Sequence, residues 1–203
     1  MARARSEAEF ILKTGIFGGT FNPIHHGHLI GAQETLEQLK LDRILFIPTG
    51  TPPHKNNPTV SASLRTEMTE LAIAKTSGFE LSKIEVKKSG NSYTIDTLKE
   101  LRHIYPDDEF YLLIGADELT EFTDWKCWQD ILDIARIAAM NRPGFSLHYP
   151  AAQLEQKTVE VEIPDLAISS SELRSRRKEG CSIRYFVPSS VADFIEKNQL
   201  YLD

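Results

Sequence analysis

The chain is poor in cysteine: Cys127 and Cys181 are the only two in 203 residues, and neither belongs to a CxxC pair. That excludes a zinc finger and argues against a disulfide scaffold, so two reduced thiols in a cytoplasmic protein are expected. No apolar stretch approaches the ~20 residues a membrane span needs. No GxxxxGK[ST] loop occurs, which removes the commonest class of NTPase. Positive charge is also short. Lys and Arg number 23 against 29 Asp and Glu, for a formal net charge of -6. Nucleic-acid backbones are held by clustered Lys and Arg, so a general nucleic-acid binder is disfavoured, although one polyphosphate could still sit in a locally positive pocket. No internal repeat, low-complexity run or linker is evident. Met1 to Phe10 carries Arg3 and Arg5 with no apolar core behind them, so it does not read as a secretory signal and is expected to be a disordered tail.

Hydrophobic residues make up 41% and charged residues 26%, the balance of a globular chain with a substantial core. Strand-like and helix-like segments alternate. Strands are expected over Leu12–Phe17, Arg43–Ile47, Phe79–Val86, Phe110–Ile114, Arg136–Met140 and Val159–Ile163. Helices are expected over His28–Lys40, Ser61–Thr76, Thr94–Tyr105, Trp125–Ile134, Ser169–Lys178 and Ser189–Asn198. This alternation predicts an α/β, Rossmann-like, doubly wound parallel sheet with helices on both faces and a small C-terminal helical portion. Residues 11–203 form one expected domain. Sheets of this kind bind ligands beyond the carboxyl ends of the strands, where strand order reverses. The least regular stretch, Pro48 to Pro58, reads as a functional loop.

Two stretches carry chemistry. The first is Gly18-Gly19-Thr20-Phe21-Asn22-Pro23-Ile24-His25-His26-Gly27-His28, directly after an apolar strand. Gly18 and Gly19 remove side chains where backbone must turn and approach a ligand closely. The helix starting near Gly27 offers free N–H groups and the positive end of its dipole. His25 and His28, three apart, fall on one side of that start. Imidazoles there can donate to phosphate oxygens and answer charge that develops in an in-line displacement. His25, His26 and His28 could also ligate a metal, but no Cys or carboxylate completes a familiar zinc spacing, so no metal residue is assigned. The second stretch is Ile168-Ser169-Ser170-Ser171-Glu172-Leu173-Arg174. Ser169 and Glu172 fit a capping box, which leaves Ser170, Ser171 and Arg174 unexplained. Hydroxyls at a helix start with an arginine one turn on suit a phosphate clamp, and Arg176, Arg177 and Lys178 extend the positive charge.

These two stretches resemble the hallmark motifs of the nucleotidyltransferase superfamily with HxGH and ISSxxxR elements. Within it the chain is similar to bacterial nicotinate-nucleotide adenylyltransferases. The resemblance runs from residue 15 to the end and includes the stretches at 48–55, 92–98, 115–117 and 141–144. It implies transfer of the adenylyl group of ATP to nicotinate mononucleotide. The substrate phosphate would attack the α-phosphorus directly, giving deamido-NAD and pyrophosphate, with Mg²⁺ held mainly by the ATP phosphates and water. It implies that His25, His28 and Arg174 are catalytic. Gly18, Gly19, Thr20, Phe21, Gly115, Asp117, Ser169 and Ser170 would complete the ATP site, with Asp117 near the ribose. Thr94, Tyr93, His54, Lys55 and Trp125 would hold the mononucleotide, the Trp ring stacking on the pyridine, with Trp128 as a competitor for that role. Asn22 stands where many relatives carry Asp, so no metal role falls there. A homodimer is an arrangement the resemblance allows and no residue specifies.

Rival readings remain open from sequence. The acceptor could be nicotinamide mononucleotide, which differs only in a carboxylate that backbone N–H groups can select. A phosphopantetheine acceptor is disfavoured by the middle segments. A non-catalytic nucleotide sensor is disfavoured because a sensor needs no groups that answer transition-state charge. A metal-dependent hydrolase would need bound zinc.

Overall fold

The computed structural model describes residues 11–52, 60–141 and 147–202. Its strands are β1 (Lys13–Gly19), β2 (Arg43–Pro48), β3 (Phe79–Leu81), β4 (Glu109–Gly115), β5 (Ala135–Met140) and β6 (Thr158–Val161). They form one parallel sheet in the order β3-β2-β1-β4-β5-β6. The longer helices are α1 (His26–Gln38), α2 (Ala62–Ile73), α3 (Thr94–Ile104), α7 (Ser170–Lys178) and α8 (Ser189–Lys197). Three shorter ones are α4 (Ala116–Thr120), α5 (Trp128–Ile134) and α6 (Ala152–Lys157).

Both faces of the sheet are covered, so its strands read as continuous apolar runs rather than alternating ones. Successive residues still point to opposite faces. Phe17, Phe46 and Leu113 enter a core with α1, α2, α7 and α8, through Ala32, Met68, Leu173 and Val191. Their neighbours Ile16, Leu45 and Leu112 enter a second core with α3, α4, α5 and α6, through Leu98, Leu119, Ile131 and Leu154. The chain runs outward from β1 through β2 to β3, then crosses back to place β4 on the other side of β1. The order therefore reverses between β1 and β4, which opens a crevice at their carboxyl ends.

The expected architecture is the observed one, with corrections at element ends. The expected strand Phe79–Val86 stops at Leu81, because β3 is an edge strand paired only with Ile44–Phe46. Beyond it, Ile84 to Lys87 form a turn, closed by bonds from the Lys87 N–H to the Lys83 carbonyl and from the Lys88 N–H to the Glu85 carbonyl. The expected helix Trp125–Ile134 begins three residues late. Phe122–Asp124 is a 3₁₀ turn, and Cys127 takes φ 51°, which a right-handed helix cannot continue through. The expected helix Ser61–Thr76 starts after Ser61, whose hydroxyl instead accepts from Leu64 N–H. α4 and α6 are too short to announce themselves by periodicity.

Gly15 lies in the middle of β1, where an added Cβ would come within 2.8 Å of Ile44 Cγ1, 3.0 Å of Leu41 Cδ1 and 3.1 Å of Leu113 Cδ1. Gly15→Ala should therefore overpack this layer and lower stability by about 1–3 kcal/mol, read as a lower urea midpoint with an unchanged m-value.

Candidate active site

The turn after β1 is built to face a ligand. His25 is the N-cap of α1 and His28 its third residue. His28 Nδ1 accepts from the His25 backbone N–H at 3.2 Å, which places the His28 proton on Nε2 and makes that nitrogen a donor. The two imidazoles stack, with ring centroids 3.7 Å apart. An added Cβ on Gly27 would lie 3.1 Å from the His25 ring, so glycine between the histidines is what allows the ring to fold over the helix start. On its other side His28 meets the Phe21 ring edge-on at 5.2 Å, with Phe21 at φ 45°.

The second motif docks onto this turn. Ser170 Oγ donates to the Pro23 carbonyl at 2.9 Å, and Arg174 Nη1 donates to the Asn22 carbonyl at 2.8 Å. Ser169 caps α7 by accepting from Glu172 N–H, and its hydroxyl pairs with that of Ser171. The three serines thus divide their work, and Ser170 is the one aimed at the loop. Arg174 retains further N–H groups for an anion. Arg176 turns away, over the Phe186 ring at 5.0 Å.

Of three buried residues not singled out from sequence, Arg65 and Tyr201 support the same turn and Glu85 braces the neighbouring segment at Gly50. Arg65 on α2 is 1% exposed. Its guanidinium donates to the carbonyls of Thr20 (2.7 Å), Thr49 (2.7 Å), Gly50 (3.1 Å) and Val60 (3.3 Å). Burial lowers its pKa, against the pull of Tyr201 and Glu85. Tyr201, near the far end of the chain, donates its hydroxyl to Asn22 Oδ1 at 2.7 Å, and burial pushes that phenol up. Glu85 is buried, accepts from Thr97 Oγ1 at 2.8 Å and is also bonded by Ser92 and by the Gly50 N–H. An arginine in line with Met68, Thr69 and Ile73 on the buried stripe of α2 was the available signal for Arg65.

Beside the β1 turn a cleft of about 430 Å³ opens at the switch point. Among the expected residues, Gly18, Gly19, Thr20, Tyr93, Thr94, Asp117 and Trp125 line it. Trp125 stands 5.1 Å from the Phe122 ring, whereas Trp128 packs on the core outside the cleft lining. Gly115 lies at its edge, where an added Cβ would come 2.5 Å from Asp117 Oδ1. His25, His28, Ser169, Ser170 and Arg174 gather instead on the α1–α7 side, across the β1 turn. His54, Lys55 and Arg142 fall outside the described residues. No helix among the described residues is long and apolar enough to cross a membrane.

An α/β sheet whose switch-point crevice adjoins two helix starts armed with imidazoles, hydroxyls and arginine defines a nucleotide-binding enzyme class. Residues 16–176 match the cytidylyltransferase-like family, and the chain belongs to it. It is 44% identical to a relative from Geobacillus thermodenitrificans over 93% of this chain and 86% of the relative. It is 43% identical to one from Thermus thermophilus over 94% of this chain and all of the relative. Both relatives are named "Probable nicotinate-nucleotide adenylyltransferase". The fold is shared with a solved Plasmodium falciparum nicotinic acid mononucleotide adenylyltransferase complexed with NaAD. The TM-score is 0.76 and the identity 22%, covering 94% of this chain and 97% of the other. The same protein complexed with APC gives a TM-score of 0.77 at 21% identity.

Burial raises the Glu85 pKa, and the bonds from Thr97, Ser92 and Gly50 oppose it. Between the ordinary glutamate value and the raised one, the folded chain holds a proton that the unfolded chain has released. Stability therefore falls as pH rises through that window. Relative to Glu85→Gln, the wild-type protein should gain unfolding free energy as pH is lowered from neutral toward 4.5, measured by urea titration at several pH values. A difference that does not change with pH would contradict this.

Proposed function

We infer that the chain transfers the adenylyl group of ATP to nicotinate mononucleotide, giving nicotinic acid adenine dinucleotide and pyrophosphate in NAD biosynthesis. The observation that carries this reading is the docking of the Ser170–Arg174 helix start onto Asn22 and Pro23, beside an aromatic-walled cleft on the other side of β1. One side offers donors for a triphosphate and the other a slot for a flat ring, and the β1 turn lies between them. The names and identity of the full-length relatives support the same substrates.

In this mechanism the α1 N-terminus and the imidazoles of His25 and His28 bind the ATP phosphates. The Nε2–H of His28 faces charge that grows on the α-phosphate as the acceptor oxygen approaches in line. Ser170 and Arg174 hold the β- and γ-phosphates as pyrophosphate leaves. Gly18, Gly19 and Thr20 let backbone approach the reacting centre, and Asp117, in the cleft lining, takes the ribose. Thr94 and Tyr93 at the α3 start and the Trp125 ring hold the nicotinate end, as would His54 and Lys55, which fall between β2 and α2 in sequence. The site's imidazoles, hydroxyls and guanidiniums suit phosphate oxygens rather than a hard cation, so Mg²⁺ would ride on the triphosphate and its waters. The ion would neutralise charge on the leaving pyrophosphate.

Pyrophosphate release should require ATP, Mg²⁺ and nicotinate mononucleotide together, and nicotinamide mononucleotide should serve poorly. His28→Ala should lower kcat by about 10²–10³ and weaken ATP affinity far less. Equal loss of ATP affinity would favour a binding module.

A further inference from the structure

We propose that Lys126 is a specificity-determining residue that selects an acidic over an amide pyridine mononucleotide. The inference rests on the acceptor reading above and adds the side chain that discriminates. Four acidic residues line the cleft, Glu85, Asp117, Glu118 and Glu121. Lys126 is the one basic residue among the described lining residues. A nicotinate carboxylate entering such a cleft meets like charge, whereas a neutral carboxamide does not. Left to its acidic groups, the cleft would favour the amide. A cation beside the ring slot reverses that bias.

Lys126 is held where such a cation is needed. It follows Trp125 directly, and its Nζ stands 4.3 Å from the Tyr93 ring centroid. The same Nζ lies 3.0 Å from Asp96 Oδ2, two residues beyond Thr94 in the first turn of α3. The ammonium thus bridges the two walls of the slot, one bearing Trp125 and the other Tyr93 and Thr94. An ammonium has three donors, and Asp96 takes one. The Lys126 and Asp96 side chains are 46% and 51% exposed, so the pair is weak and can share its cation with an arriving carboxylate. Asp96 therefore tempers the selectivity that Lys126 provides.

The test compares kcat/KM for nicotinate and nicotinamide mononucleotides in wild type, K126Q, K126R and D96N. Calorimetric Kd for nicotinate mononucleotide serves as a second measurement where amide turnover is too slow to follow. K126Q should lower the acid-to-amide ratio by about three- to fivefold, through KM for the acid, with KM for ATP and the Tm unchanged. K126R should keep the ratio and D96N should raise it. Added salt should erode the ratio in wild type more than in K126Q, as screening of one exposed cation requires. An acid-to-amide ratio, or an acid Kd, that is the same in K126Q as in wild type would overturn the proposal. Absence of release with either mononucleotide in the wild type would instead overturn the acceptor reading, and this inference with it.

Discussion

A loop that must hold a polyphosphate has to keep its own carbonyl oxygens from facing it, and the rest of this structure is arranged around that constraint. Each exposed turn of backbone carries as many acceptors as donors, and an unsatisfied acceptor near a phosphate repels it. Here donors from distant parts of the chain occupy the carbonyls. Arg65 takes Thr20, Thr49 and Gly50, Arg174 takes Asn22, and Ser170 takes Pro23. The donors of the turn are thereby the groups that face the ligand. A buried guanidinium bonded to carbonyls rather than to a carboxylate is costly by itself. It is tolerable where an anion is the expected visitor, because its charge adds to the potential that the anion meets.

The fold supplies what the loop cannot. Reversal of strand order beside β1 puts one crevice on two sides of a single turn, with the α1–α7 imidazoles, hydroxyls and Arg174 on one side and the Trp125 cleft on the other. Two substrates can then meet at the glycines between them. The helices that cover the sheet also carry the clamps: Arg65 from α2 and Arg174 from α7, with Tyr201 just past α8. Core burial and site geometry are for this reason the same contacts. A loss of α2 or α8 docking is felt at Thr20 and Asn22 before it is felt at the substrates.

The sheet and its longer helices were legible because strands buried on both faces leave unbroken apolar runs and the helices leave 3.6-residue stripes. The turn after β1 and the helix start at Ser169 were legible because Gly27 between two histidines and the serine run at 169–171 are local patterns with a local physical cause. What was not legible came from tertiary structure. β3 ends early because the chain turns away at Ile84 while β2 runs on to Pro48, α5 starts late because Cys127 turns left-handed, and Tyr201 reaches Asn22 across 179 residues of sequence. Ser170 and Arg174 read from sequence as phosphate ligands, and the structure shows them bonded to Pro23 and Asn22, a bracing role that spacing could not reveal. Glu85 hid inside an apparent strand, since a buried carboxylate next to Ile84 looks from sequence like an ordinary alternation.

The central claim is that one preorganised site aligns two bound substrates for a single in-line displacement, with no group of the protein bonded to the adenylyl unit. The stereochemical course at the α-phosphorus tests it most directly, using ATP made chiral there by sulfur substitution. Inversion of configuration in the dinucleotide product is the result this account predicts. Retention would require two successive displacements through a covalent adenylyl-protein, and would contradict it.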